Sequence, residues 1–472
     1  MMRKLFFTLF LVSCSVKPHY SQPETAVPET YRFAPENISE YVNFAWWEQF
    51  QDPVLAELIR TALKYNQNLQ TATATVNQYY AKYQVAFSQL FPQINVQADA
   101  QRNKLPTNTP PVYSFFQLFG NLAYELDFWG KLRSSAEAAH ASYMAQVNSR
   151  FNVILSIVSA LAKGYILLLQ YDDQLRVAQK TSQSFFDMWK IAKLRFEAGV
   201  ISEMDLKQAE AQMEDAQVLV KTYEGLIPVQ EDLISILLGA APAPIPRGKS
   251  LAELQIPEKI PAGLPSDLLA NRPDILQAEQ NLISANAQIG VARAQLLPQF
   301  LITGRDGQEA LQLHNLLRNL NNFFNSQLEV LEPIYTGGSL TGQLHETEAF
   351  FLANLHTYQQ TVLNALQEVS DGFINYQTSQ KVLEVQKKEI NALEEYVRLS
   401  KLRYFNGQTD YLTVENSQQT LFAVELSAET TQGTVLASLV DIYTALGQGW
   451  DVEADYCEKC ADPSPVWEAI FP

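Results

Sequence analysis

Five glycines in the first half of the chain, Gly130, Gly164, Gly199, Gly225 and Gly239, recur 208 residues later as Gly338, Gly372, Gly407, Gly433 and Gly447. No other glycine falls within 130–239, and only Gly342 is added within 338–447. Self-similarity at a fixed offset marks an internal duplication, and it limits the possible folds more than any composition does. Flanking residues agree: Arg195-Phe196 ahead of Gly199 is answered by Arg403-Tyr404 ahead of Gly407. Upstream the offset becomes 206, where Gln89-Leu90-Phe91-Pro92-Gln93 is answered by Gln295-Leu296-Leu297-Pro298-Gln299. Each copy is about 180 residues, far longer than a solenoid unit, so one half-architecture is used twice.

Prolines show where helices can run, because an interior proline removes a hydrogen bond and clashes with the preceding turn. The chain has 22 prolines, yet none from Val112 to Ile227 and none from Ile334 to Asp462. Within the second stretch Phe351, Leu355, Tyr358, Val362, Leu366, Val369, Phe373 and Tyr376 follow one another at steps of three and four. That spacing predicts a helix with a coiled-coil-like seam. A helix from Lys131 to Arg195 would be about 98 Å long, and such a rod needs neighbours along its whole apolar stripe. Gly199 and Gly407 suit a helix C-terminus followed by a tight reversal, with a second helix returning to Gly239 or Gly447. Each copy therefore reads as a long antiparallel helical hairpin.

Ahead of each rod the period changes to two. Ile94, Val96, Ala98 and Ala100 alternate with Gln93, Asn95, Gln97, Asp99 and Gln101. Phe116, Leu118, Leu122, Tyr124 and Leu126 then alternate with Gln117, Asn121, Glu125 and Asp127. The second copy repeats this more weakly at Phe300 and Ile302, then at Leu328 and Val330 against Gln327 and Glu329. Polar segments at Arg102–Pro111 and Asn315–Asn322 read as hairpin loops. These are strands with one apolar and one polar face, of the length a tilted strand needs to cross a bilayer. Four strands cannot close a barrel, and an open edge is not tolerated in lipid. Either copies of the chain assemble, or the strands are small hairpins capping a soluble helical bundle.

The N-terminus carries Arg3 and Lys4, a short apolar run and then Leu11-Val12-Ser13-Cys14. A basic start followed by so short a run is a signal peptide rather than a spanning helix. Leu-Val-Ser-Cys is similar to the bacterial lipobox, which makes Cys14 the lipidated first residue. The Pro-rich segment Val16–Pro35 follows as an extended tether. The most apolar later segment, Val153–Gln170, holds Lys163 and Gly164, and its duplicate Thr361–Thr378 is polar, so a buried mid-rod helix is expected. The net charge of −17 argues against nucleic acid or anionic lipid as a partner, and acidic side chains lining a pore would favour cations.

The five histidines, His19, His140, His314, His345 and His356, make no metal-ligand spacing. Thr336-Gly337-Gly338 ends a strand without any phosphate-binding pattern. No nucleophile and base are paired, so no catalytic, cofactor or metal site is expected. Cys457 and Cys460 form a CxxC. In an oxidising envelope compartment it ranks first as a structural disulfide, second as an intermolecular cross-link and third as a redox pair.

Three longer strings carry a resemblance. They are Phe44-Ala45-Trp46-Trp47 with Phe50, Asp52-Pro53, Leu55 and Leu58-Ile59; Tyr124-Glu125-Leu126-Asp127-Phe128-Trp129-Gly130-Lys131; and Gly263-Leu264-Pro265-Ser266-Asp267-Leu268-Leu269 with Arg272-Pro273-Asp274-Ile275. From Cys14 to Gly447 the chain resembles the outer membrane efflux protein family of TolC- and OprM-like channels, in its lipoprotein branch. The resemblance implies a mixed fold, mostly α, with four transmembrane β-strands and long periplasmic helical hairpins per chain. Three chains would close a twelve-stranded β-barrel in the outer membrane, continued by a helical barrel in the periplasm. The partners implied are a homotrimer, outer membrane lipid, a periplasmic adaptor and an inner-membrane pump, with the protein a passive exit duct. On this reading 1–13 is the signal peptide, 14–52 the lipidated tether and opening segment, 53–240 the first repeat, 241–264 a linker, 265–448 the second repeat and 449–472 a tail.

Within that frame Arg195-Phe196-Glu197-Ala198-Gly199 and Arg403-Tyr404-Phe405-Asn406-Gly407 resemble adaptor-docking turns. Leu412 falls where OprM-like members carry an apolar constriction at the periplasmic entrance. Many members carry an acidic residue at the position of Asn416, and its absence leaves Glu415, Asp410 and Asp205 as nearby sources of charge. The alternative is a helical envelope scaffold or adaptor with no pore of its own, which would not conduct ions across a planar bilayer.

Overall fold

Each expected rod is one continuous helix in a computed structural model, which describes residues 16–25, 27–33, 43–104, 112–257, 260, 262–318 and 321–450. Cys14, Cys457 and Cys460 lie outside the described residues. Helices α1 (Pro53–Tyr65) and α2 (Gln67–Ser88) precede a hairpin of β1 (Gln93–Lys104) and β2 (Val112–Leu126). The rod α3 (Lys131–Glu197) and the return helix α4 (Glu203–Leu237) follow. The second copy opens with the short α5 (Asp267–Asn271) and then α6 (Pro273–Ala294), β3 (Gln299–Ala310), β4 (Asn322–Leu331), α7 (Ser339–Phe405) and α8 (Tyr411–Ala445). Both rods have 67 residues and both return helices 35, so the duplication is expressed to the residue. Helix α4 continues through Pro228, whose missing N–H leaves a carbonyl unpaired one turn back, at the exposed Glu224. Helix α3 is long and apolar enough to cross a membrane by length and composition, but its most apolar window is mostly buried inside the protein.

The four strands form one antiparallel sheet in the order β1-β2-β3-β4, two hairpins joined along β2 and β3. The expected alternation places Ile94, Val96, Leu328 and Val330 on strands whose side chains are mostly exposed.

The chain divides into two compact units, and the division does not follow the two copies. One unit comprises 1–25, 75–148 and 276–360, with the sheet and the adjoining helical turns. Its helices pack through small residues, with Ala136, Ala138, Ala141, Ala145, Ala285, Ala287 and Ala292 all buried. The N-terminal segment is strapped along this unit. Lys17 pairs with Glu137 at 2.6 Å, Asn286 donates to the Pro18 carbonyl at 3.0 Å, and Gln22 donates to the Tyr358 hydroxyl at 3.4 Å.

The other unit comprises 26–74, 149–275 and 361–472, and contains the residues of two of the strings singled out above. Trp46, Trp47 and Phe50, in a short 3-10 helix at Trp46–Phe50, are fully buried. Trp46 stacks on Tyr443 at 5.3 Å and donates its indole N–H to the Gln448 carbonyl at 3.1 Å. Arg272, also buried, forks onto both oxygens of Asp274 at 2.9 Å, reaches the Ala445 carbonyl at 2.7 Å and pairs with Glu368. It thereby fastens the second repeat's opening to its own last helix.

Asp52 fastens the first in a similar way. One carboxylate oxygen caps α1 by accepting from the N–H groups of Val54 and Leu55 at 2.8 and 3.3 Å. The other accepts from the Tyr165 hydroxyl and the Lys249 N–H, both at 3.1 Å. Tyr165 in turn accepts from the Gly248 N–H at 2.9 Å, so the linker, α1 and α3 meet at one buried carboxylate. Asp52→Ala removes the cap and leaves the Tyr165 hydroxyl without an acceptor, a cost of about 2–4 kcal/mol. Tyr165→Phe costs about 1 kcal/mol. The expected outcome in detergent melting is a lowered midpoint for both variants, with the larger shift in Asp52→Ala.

Candidate docking tips and entrance

Both rods end in the same backbone device. The Val200 N–H donates to the Arg195 carbonyl and the Gly199 N–H to the Phe196 carbonyl, each at 2.8 Å. In the second copy Gln408 donates to Arg403 at 2.9 Å and Gly407 to Tyr404 at 3.0 Å. This paired closure needs a left-handed residue, and Gly199 and Gly407 supply it at φ of +72° and +73°. A Cβ built on either glycine would meet nothing within 4 Å, so both turns present open backbone.

The return helices start with side-chain caps. Ser202 and Asp205 form a reciprocal capping box on α4, with Asp205 accepting from the Ser202 N–H at 3.1 Å. Asp410 caps α8 by accepting from the Thr413 N–H at 3.1 Å and its hydroxyl at 2.7 Å. Those bonds hold the Asp410 carboxyl below the usual carboxylate range. Two of the acidic groups expected near the entrance are thus engaged in starting helices.

Behind the turns Met188, Ala192, Ala209, Tyr404, Tyr411 and Val414 form one apolar cluster. The Arg195 guanidinium lies 4.4 Å above the Tyr404 ring, and Tyr404 meets Tyr411 at 5.9 Å. The hydroxyls of Tyr404 and Tyr411 are buried with no hydrogen-bond partner among the described residues. Arg403, in contrast, is exposed. The duplicated arginines therefore differ: Arg195 packs across the two hairpins and Arg403 faces solvent.

Leu412 is 48% exposed, and Asn416 is exposed one turn further along the same face of α8. Glu415 lies on another face, only 4% exposed, and accepts from the Gln208 amide at 2.5 Å. It therefore presents no carboxylate to solvent within this chain. The structure brings Leu412 and Asn416 together on one exposed face and separates Glu415 from them. Spacing along α8 could not have shown that separation, because Glu415 is four residues from the buried Tyr411 and three from the exposed Leu412, both neighbouring steps on a helix.

A family model described as outer membrane efflux protein matches residues 58–239 and 264–448, most of both copies. The chain belongs to this family. The toluene efflux pump outer membrane protein TtgC of Pseudomonas putida is 30% identical over 460 residues, covering 94% of this chain and 95% of the relative. The probable outer membrane lipoprotein SilC of Salmonella typhimurium is 26% identical over 450 residues, covering 94% and 97%. The open-state crystal structure of the MtrE outer membrane channel of Neisseria gonorrhoeae matches with a TM-score of 0.85 and 28% identity, over 93% of this chain and 99% of that one. This outer membrane efflux protein has the TolC-like fold and a transport role in the outer membrane.

Burial pushes the Glu415 carboxyl above its ordinary value of 4.5, and the Gln208 bond opposes the shift. Its proton is held more tightly in the folded than in the unfolded chain. Acidification from above the raised value toward the ordinary one therefore stabilises the tip, and that gain is lost as pH rises through the folded value. Amide exchange, corrected for intrinsic rates, should show the first turns of α8 gaining protection as pH falls from neutrality toward the ordinary carboxyl value of 4.5. Glu415→Gln should abolish the gain and be as protected at the higher pH as the parent is at the lower.

Proposed function

We propose that three copies of this chain close one passive exit duct, which docks through its hairpin tips to a periplasmic adaptor and an inner-membrane pump that supplies the energy. The observation that carries the reading is the sheet: four strands with an exposed apolar stripe and two edges without partners among the described residues, running into 67-residue helices. In lipid such a sheet must close, and three copies give twelve strands, within the range of membrane barrels. Cys14 carries the acyl anchor, so palmitate label should be lost in Cys14→Ser, and Cys457 and Cys460 form a structural disulfide in the tail.

At the entrance the Leu412 side chains of three copies form the resting constriction, with Asn416 adding hydrogen bonds one turn away. The open turns at Gly199 and Gly407, with Arg403 beside them, receive the adaptor. In planar bilayers the purified protein should conduct, with a particle mass of three chains in detergent. A non-conducting monomer would return the scaffold reading. Leu412→Ala should raise the resting conductance several-fold, and Asn416→Asp should increase the preference for cations. Gly407→Leu, which blocks the turn from its partner, should abolish export from cells while leaving the trimer and its conductance intact.

A further inference from the structure

Asn406-Gly407, at the tip of the second hairpin, is the one Asn-Gly pair in the chain. This is the pairing in which a backbone nitrogen most readily attacks the carboxamide before it, because glycine has no side chain to crowd that nitrogen. The first tip has Ala198-Gly199 in the same place, 208 residues earlier, and offers no carboxamide. The duplication therefore supplies one reactive turn and one inert turn with the same backbone closure.

Asn406 is exposed and follows the last residue of α7. Its carboxamide donates to the Leu402 carbonyl at 2.9 Å. The Gly407 N–H, which carries the attacking nitrogen, donates to the Tyr404 carbonyl at 3.0 Å in the closing turn. Helix ends fray at little cost in free energy, so opening of the last turn alone releases that nitrogen. A Cβ at Gly407 would meet nothing within 4 Å, which leaves room for a small ring and for water. Two other exposed asparagines are placed differently. Asn391 sits in the middle of α7 before Ala392, and Asn416 lies inside α8 before the buried Ser417, so fraying of an end frees neither.

We propose that Asn406 is a site of spontaneous covalent modification, converting to aspartate and isoaspartate through a cyclic imide with Gly407. The Gly407 nitrogen gives its proton to water and bonds to Asn406 Cγ. The Cγ–Nδ2 bond then breaks, and the amide nitrogen leaves as ammonia with a proton returned from water. A second water adds to either imide carbonyl and opens the ring. One opening leaves an ordinary peptide bond and an aspartate side chain. The other carries the main chain through Cβ, as isoaspartate. The reaction goes beyond the duct proposed above and requires neither trimer nor adaptor.

Either product undoes part of the tip. The new carboxyl, with an ordinary value of about 3.9, is ionised at neutral pH. It cannot donate to the Leu402 carbonyl, and a negative charge at a helix C-terminus opposes the macrodipole. It also stands three residues from the exposed Arg403, within reach of pairing. Isoaspartate adds a backbone atom inside the turn, which disrupts the closing bonds from Gly407 to Tyr404 and from Gln408 to Arg403. The second tip therefore changes charge and shape with age while the first does not.

The test incubates the membrane-embedded, full-length protein in mildly alkaline buffer and digests it in water enriched in heavy oxygen, which marks conversion during digestion. Peptide mapping compares Asn406 with Asn391 and Asn416 in the same sample, and with a free peptide of residues 403–409. The expected result is conversion at Asn406 several-fold faster than at the other two, with isoaspartate labelled by an isoaspartyl methyltransferase. Asn406→Gln, whose longer side chain would have to close a larger ring, should stay unmodified. Ala198→Asn should bring the same reaction to the first tip. Amide exchange across 403–408 should quicken as the parent ages and stay constant in Asn406→Gln. An intact Asn406 after the free peptide has converted overturns the site, and so does a rate no faster than at Asn391 and Asn416. Unchanged exchange in fully converted protein overturns the effect on the turn.

Discussion

Every backbone N–H and C=O that enters a bilayer needs a partner, and a sheet of four strands leaves two rows of them without one. That requirement links the strands to the rods of this chain. A rod of 67 residues has an apolar stripe about 100 Å long, and it too has to be covered along its length. The same deficiency therefore appears twice, as unpaired hydrogen bonds in the sheet and as uncovered apolar surface on the helices. In the proposed duct, one act of assembly would answer both.

The parts that do not depend on assembly are fastened by buried charges. Asp52 ties the linker to the first helix and the rod through four hydrogen bonds. Arg272 ties the opening of the second repeat to the last turn of α8. Each is a single ion satisfied on several sides, the condition under which burying a charge is tolerated. Each sits where a new segment must be set at a fixed angle before a long helix begins.

Much of the fold was legible in the sequence because the helical and strand periods are local. Steps of three and four residues run unbroken from Phe351 to Tyr376, and alternation holds from Gln93 to Gln101. The glycine offsets placed both turns. The entrance was less legible. Asp205 reads as a possible pore charge until the Ser202 hydroxyl is seen three residues upstream in a capping box. Glu415 reads as exposed until its face of α8 is found against Gln208 of α4. Which side of a helix is buried depends on the helix beside it, and no local pattern carries that.

The equal lengths of α3 and α7 have an evolutionary consequence. Each residue added to one rod turns everything beyond it by about 100° and advances it by about 1.5 Å. A lone insertion in one copy would set its tip out of level with the other and rotate the apolar stripe away from its neighbours. A change of about seven residues, two turns, nearly restores the rotation, yet it must occur in both copies at once to keep the tips level. The duplicated halves are therefore not free to diverge in length. Substitution can reshape their surfaces independently, whereas insertion and deletion within the rods must be matched between them.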